Sequence, residues 1–116
     1  MKKIAVLISG SGSNLEAIIN ACNSNNINGK IVCVISNNPN AYGLKRAEKH
    51  NLKIKVINHK DYLDRDSFDS AVDKCLTKLN IDLVVLAGFM RILGKNITEK
   101  YNGKIINLHP SLLPLY

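Results

Sequence analysis

The chain has 116 residues, 46% hydrophobic and 22% charged, which is the size and balance of one folded domain and excludes a largely disordered polypeptide. Three cysteines, Cys22, Cys33 and Cys75, without a C-x-x-C pair, exclude a disulfide scaffold and read as buried thiols of a cytoplasmic protein. Sixteen basic against nine acidic residues give +7, which suits an anionic ligand, but the lysines are scattered and aromatics make up only 5%, which argues against nucleic-acid binding.

In chain order, Ile4 to Ser9 is a nearly unbroken apolar run, too short for a signal peptide and read as a buried first strand. Gly10-Ser11-Gly12-Ser13-Asn14 follows, and then Leu15, Ile18, Ile19 and Cys22 recur at helical spacing. Ser13 with Glu16 three residues later has the form of a capping box, so a helix is expected to begin at Ser13 or Asn14. Lys30 to Ser36 predicts a second strand, Asn37 to Asn40 a turn, Tyr42 to His50 a short helix, and Lys53 to Ile57 a third strand. The polar connection from Asn58 to Arg65 leads into a helix lined by Phe68, Val72, Cys75, Leu76 and Leu79, with Asp64 or Asp66 as its cap. Ile81 to Ala87 is apolar on both faces after its start, as a central parallel strand is. A short helix is expected between Gly94 and Gly103, and a last strand from Ile105 to His109, stopped by Pro110. No run approaches the roughly 20 apolar residues of a membrane span.

Strands alternating with helices at this spacing predict an α/β domain with a doubly wound, mostly parallel sheet, in which ligands bind beyond the carboxyl ends of the strands. Three strand ends stand out. Gly10 to Asn14 lets the backbone approach a ligand and offers the free amides of a helix start, which suits a phosphate; the alternative is a tight turn with a helix cap. Leu15 stands where a dinucleotide fingerprint needs its third glycine, and Ser36 and Asn37 stand where it needs an acid, so a nicotinamide dinucleotide is disfavoured. Gly88-Phe89-Met90-Arg91-Ile92-Leu93-Gly94 suits a loop lining a flat apolar pocket with Arg91 for a carboxylate, or a loop folding Phe89 and Met90 back into the core.

Asn107-Leu108-His109-Pro110 carries the most chemistry. Residues two apart in a strand share a face, so Asn107 and His109 project side by side. An imidazole exchanges protons near neutral pH and a carboxamide donates to a developing oxyanion, a pairing suited to acyl transfer; the plainer reading is a hydrogen-bonded core histidine beside a structural asparagine. His50 and His59 read as surface groups, no His/Cys/Glu spacing points to a metal, and no G-x-S-x-G supplies a serine nucleophile.

With these motifs, Ile4 to Leu15, Val84 to Leu93 and Ile106 to Pro114, the chain resembles the phosphoribosylglycinamide formyltransferases. The resemblance covers the whole chain, residues 1–116, and slightly more than the amino-terminal half of a family member, so the chain is expected to be an incomplete formyltransferase domain, a fragment of a longer protein. It implies transfer of a formyl group from 10-formyltetrahydrofolate to the amine of glycinamide ribonucleotide, a step of purine biosynthesis. It further implies that Gly12, Ser13, Asn14 and Leu15 hold the ribonucleotide phosphate. Arg65, Met90, Arg91, Ile92 and Leu93 would line the folate pocket, Asn107 would bind the formyl oxygen, and His109 would be the general acid and base. An aspartate that orients the histidine in the family has no counterpart in this chain, so activity of these 116 residues alone is left open. The alternatives are a non-catalytic phosphate-binding module and a related folate-dependent enzyme, either a methionyl-transfer-RNA formyltransferase or a formyltetrahydrofolate deformylase. Nothing in the pattern sets an oligomeric state.

Overall fold

A computed structural model describes residues 1–108 of the protein. Five strands, β1 (Lys2–Ile8), β2 (Gly29–Ser36), β3 (Ile54–Val56), β4 (Leu83–Ala87) and β5 (Ile105–Leu108), pair in parallel in the order β3-β2-β1-β4-β5. Four α-helices connect them: α1 (Ser13–Asn23), α2 (Tyr42–Lys49), α3 (Arg65–Lys78) and α4 (Lys95–Lys100). A 3₁₀ turn, His59–Asp61, lies in the polar connection before α3. The doubly wound reading of the sequence holds, with shifts of one or two residues at strand ends.

Burial follows the pleat of β1. Ile4, Val6 and Ile8 face one layer, where they pack with Leu15, Ile18 and Ile19 of α1 and Leu44 and Ala47 of α2. Ala5 and Leu7 face the other, against Phe68, Val72 and Leu76 of α3, Ile97 of α4 and Tyr101 at its end. A strand with both faces covered must be apolar throughout, which is why the first strand reads as a continuous run.

The helix ends explain part of the asparagine content. Asn25, Asn51 and Asn80 each stand one residue past the capping residue of α1, α2 or α3, with φ of 63°, 58° and 54°. This left-handed position favours glycine or asparagine, so these residues stop helices. The cysteines also depart from expectation: Cys33 is buried in the core, while Cys22 and Cys75 are half-buried at its margin.

The sheet order fixes where a ligand belongs. β1 lies between β2 and β4, so successive connections leave its carboxyl end in opposite directions and open a crevice there. The Gly10–Asn14 loop follows β1, the Gly88–Gly94 loop follows β4, and Asn107 lies near the end of β5, so all three motif segments meet at one edge of the sheet.

Candidate active site

The first loop is built around Gly12, which occupies the capping position of α1 with φ 78° and ψ 20°. Glu16 N–H is bonded to the Gly12 carbonyl at 3.0 Å, and the amides of Ser13, Asn14 and Leu15 precede it at the start of the helix, where they have no intrahelical acceptor. The expected capping box does not form. Ser13 begins the helix, but the cap is Gly12, with no side chain, and Glu16 turns instead to two side chains of α2 and its end, Arg46 at 3.5 Å and His50 Nε2 at 3.2 Å. Two such partners outweigh the one backbone amide a capping box would satisfy. Arg46 Nε also donates to the Ser11 carbonyl at 2.7 Å, tying the loop to α2.

The second loop is pinned at both ends. Met90 N–H donates to Ser9 Oγ at 2.7 Å, and Gly94 N–H donates to Asp69 Oδ2 at 2.7 Å. Between the pins, Met90 is 80% and Ile92 71% exposed, and Leu93 is buried in the α3 layer. Phe89 packs half-buried against that layer, whereas Met90 does not fold back into the core.

These loops and β5 enclose a cavity of about 530 Å³. Ser9 through Asn14 form one wall, Ala87 through Met90 another, and Asn107 and Leu108 the third. Asn107 stands opposite Leu86 in the β4–β5 ladder and is exposed toward this space. A second cavity, about 290 Å³, shares Met90 and is lined further by Arg65, Arg91 and Ile92 together with His59, Tyr62 and Leu63. The expected site residues thus fall into two adjoining groups, Gly12, Ser13, Asn14 and Asn107 in one and Arg65, Met90, Arg91 and Ile92 in the other. Leu15 and Leu93 line neither cavity; their side chains belong to the core, and only their backbone faces the loops. His109 lies outside the described residues.

Four polar side chains that the sequence did not assign to the site organise this edge: Ser9, Asn37, His59 and Asp69. Ser9 and Asn37, at the ends of β1 and β2, are only 9% and 4% exposed and bond to each other. Asn37 Nδ2 reaches His59 Nδ1 at 3.1 Å, so His59 is half-buried in a polar network rather than a free surface group; His50 is held likewise by Glu16. Asp69 of α3 is buried, and its Oδ1 has no hydrogen-bond partner among the described residues. Burial pushes its carboxyl above the ordinary range, against the opposing pull of the Gly94 N–H and the Arg65 charge. The available signal was an interruption: a polar residue directly after an apolar strand, or inside the apolar face of a helix, has to be satisfied by something.

Residues 2–116 match the formyl transferase family. The chain is 51% identical over 116 residues to the phosphoribosylglycinamide formyltransferase of Haemophilus influenzae, covering 100% of this chain and 55% of that protein. It is 50% identical over 114 residues to the human trifunctional purine biosynthetic protein adenosine-3, covering 98% of this chain and 11% of that one. A crystal structure of glycinamide ribonucleotide transformylase 1 from Symbiobacterium toebii superposes with a TM-score of 0.91 at 40% identity, over 100% of this chain and 55% of that chain. The chain therefore spans about half the length of the single-function relatives it matches.

Proposed function

The chain belongs to the formyl transferase family, and from that premise we propose that it forms the ribonucleotide and formyl-donor cleft of an enzyme that moves a formyl group from 10-formyltetrahydrofolate to the amine of glycinamide ribonucleotide. The observation that carries this reading is the single cavity lined by the Gly10–Asn14 loop, the Gly88–Met90 turn and Asn107. A phosphate on the amides of Ser13, Asn14 and Leu15 meets free N–H groups and the positive end of α1. A ribonucleotide anchored there extends across the cavity toward the end of β5, where its amine reaches the formyl group beside Asn107.

The second cavity suits the folate. Met90, Ile92 and Leu63 expose apolar surface to a flat ring system, and Arg65 and Arg91 offer cations to its carboxylate tail. The two cavities meet at Met90, so a donor seated in the second presents its formyl group to the first.

In the reaction the amine nitrogen bonds to the formyl carbon and the bond from that carbon to N10 of the folate breaks. The Asn107 carboxamide donates to the formyl oxygen as it gains negative charge. His109, two positions further along the chain, takes the proton the amine loses and returns it to N10. No covalent enzyme intermediate is required, consistent with the lack of a serine elbow in the sequence.

The test follows tetrahydrofolate release from 10-formyltetrahydrofolate by the natural polypeptide carrying this chain, with and without glycinamide ribonucleotide. Release that depends on the ribonucleotide is expected. Release at the same rate without it would make the protein a hydrolase, and saturable binding with no release would make it a binding module.

A further inference from the structure

Ser9, Asn37 and His59 form one hydrogen-bonded network. Ser9 has one hydroxyl proton, and Asn37 Oδ1 takes it. The Ser9 oxygen is then an acceptor for Met90 N–H, at 2.7 Å. With Asn37 Oδ1 occupied, the amide NH₂ faces His59 Nδ1, at 3.1 Å, and the Asn37 carbonyl lies 3.3 Å from the same nitrogen, so two groups of Asn37 hold the imidazole. The network runs across three strand ends, from the β4 loop through β1 and β2 to the connection before α3.

Burying Ser9 and Asn37 this deeply is unfavourable unless every polar atom is satisfied, and an apolar pair would fill the same space more cheaply. What the polar pair achieves is a fixed position for Met90 N. Residue 90 is the point where the two cavities of the cleft meet, and its backbone is held by the residue that immediately precedes the Gly10–Asn14 loop. The Asn38 side chain adds a bond to the Ser9 carbonyl at 3.4 Å, holding the same residue from a second side.

We propose that Ser9, Asn37 and His59 are positioning residues that lock the Met90–Leu93 loop to the ribonucleotide side of the cleft, so that the formyl donor is bound in register with the acceptor. The inference rests on the reading of the cleft given above. None of the three is a catalytic residue; Ser9 and Asn37 act through the loop, and His59, which also lines the second cavity, holds Asn37.

The test uses Ser9→Ala in the natural polypeptide, a change that deletes one oxygen and leaves the strand packing intact. Loss of a hydrogen bond of ordinary net strength corresponds to about tenfold, so Met90 amide exchange is expected to rise about tenfold, and KM for 10-formyltetrahydrofolate with it. KM for the ribonucleotide, whose cavity Ser9 also borders, is expected to rise several-fold less than KM for 10-formyltetrahydrofolate, a split that general loosening of the fold would not produce. Asn37→Ala, which frees the Ser9 hydroxyl but leaves its bond from Met90 N–H, is expected to shift the same two readouts in the same direction by less. An unchanged Met90 exchange rate in Ser9→Ala would overturn the lock whether or not the protein transfers formyl groups. Equal rises in KM for both substrates would overturn the assignment to donor positioning. Absence of formyl transfer by the wild type defeats the reading of the cleft, and donor positioning with it, and then amide exchange decides the lock alone.

Discussion

Gly12 and Gly43 approach so closely that a Cβ placed on Gly12 would fall 2.6 Å from the Gly43 Cα. The start of α1 is thus wedged against the first turn of α2, and Gly43 N–H donates to the Gly10 carbonyl at 2.9 Å across the same junction. Gly12 has two separate reasons to lack a side chain: its φ of 78° and this contact.

The two glycines of the first loop should therefore respond differently to substitution. Gly12→Ala meets backbone on α2 in a left-handed conformation and is expected to destabilise the fold by about 2 kcal/mol or more. Gly10→Ala has nothing within 4 Å of the new methyl and is expected to stay within about 0.5 kcal/mol of wild type. Urea unfolding of both variants checks this, and equal losses would contradict the packing described. For the same reason a bulky residue at position 12 is a poor probe of phosphate binding, because it displaces α2 first.

Arg46 offers a cleaner probe of the phosphate loop. Arg46→Ala removes the bond to the Ser11 carbonyl and one of the two partners of Glu16, while leaving the loop sequence unchanged. A bond from a charged donor is worth about 1.5 kcal/mol or somewhat more, so KM for glycinamide ribonucleotide is expected to rise about tenfold, with the folate KM little affected. Steady-state kinetics varying each substrate separates the two.

Asn107→Ala tests the proposed oxyanion contact. Removing one preorganised donor is expected to lower kcat by roughly 10²–10³-fold while ribonucleotide affinity, set at the far end of the cavity, stays near wild type. An unchanged turnover number would remove Asn107 from the chemistry.

Asp69 gives a pH signature. Its carboxyl is raised in the folded state, so between the ordinary carboxylate value and the raised one the folded protein binds more protons than the unfolded chain. This group therefore contributes stability that increases as pH falls through the folded value toward 3.8, and its unfavourable ionised form is fully felt above it. Asp69→Ala loses that pH-dependent contribution and also frees the Gly94 N–H, at a cost of about 1–3 kcal/mol. Denaturation midpoints of wild type and variant across the acid range report the difference.

Cys33 is expected to be inert to alkylating reagents in the native state at neutral pH. Burial, with a smaller contribution from neighbouring Cys75, pushes its thiol up to about 11, so almost no thiolate is present. Mass spectrometry after brief native labelling checks it, and modification becomes rapid only on unfolding.

Much of the candidate site was legible because its signals are local. A glycine loop between an apolar run and a 3.6-residue period announces itself, as does Asn107 in an otherwise apolar strand. The parallel sheet followed from β1, whose Ile4, Val6 and Ile8 face one layer while Ala5 and Leu7 face the other. What could not be read was which distant group each polar residue meets. Glu16 was assigned to its own helix start because Ser13 is three residues away, yet Arg46 and His50, brought up by α2, hold it instead.

The sequence by itself determined the order of strands and helices, the three segments that reach the cleft and the chemistry their side chains can perform, since each depends on neighbours within a few positions. Only the tertiary structure decided that Leu93 serves the core, that Gly12 is compelled by Gly43, and that Ser9, Asn37, His59 and Asp69 fix the ends of the Met90–Leu93 loop. The reason is physical. Burial satisfies polar groups with whatever partner the fold brings within about 3 Å, and that partner here comes from 22, 25, 28 or 81 positions away.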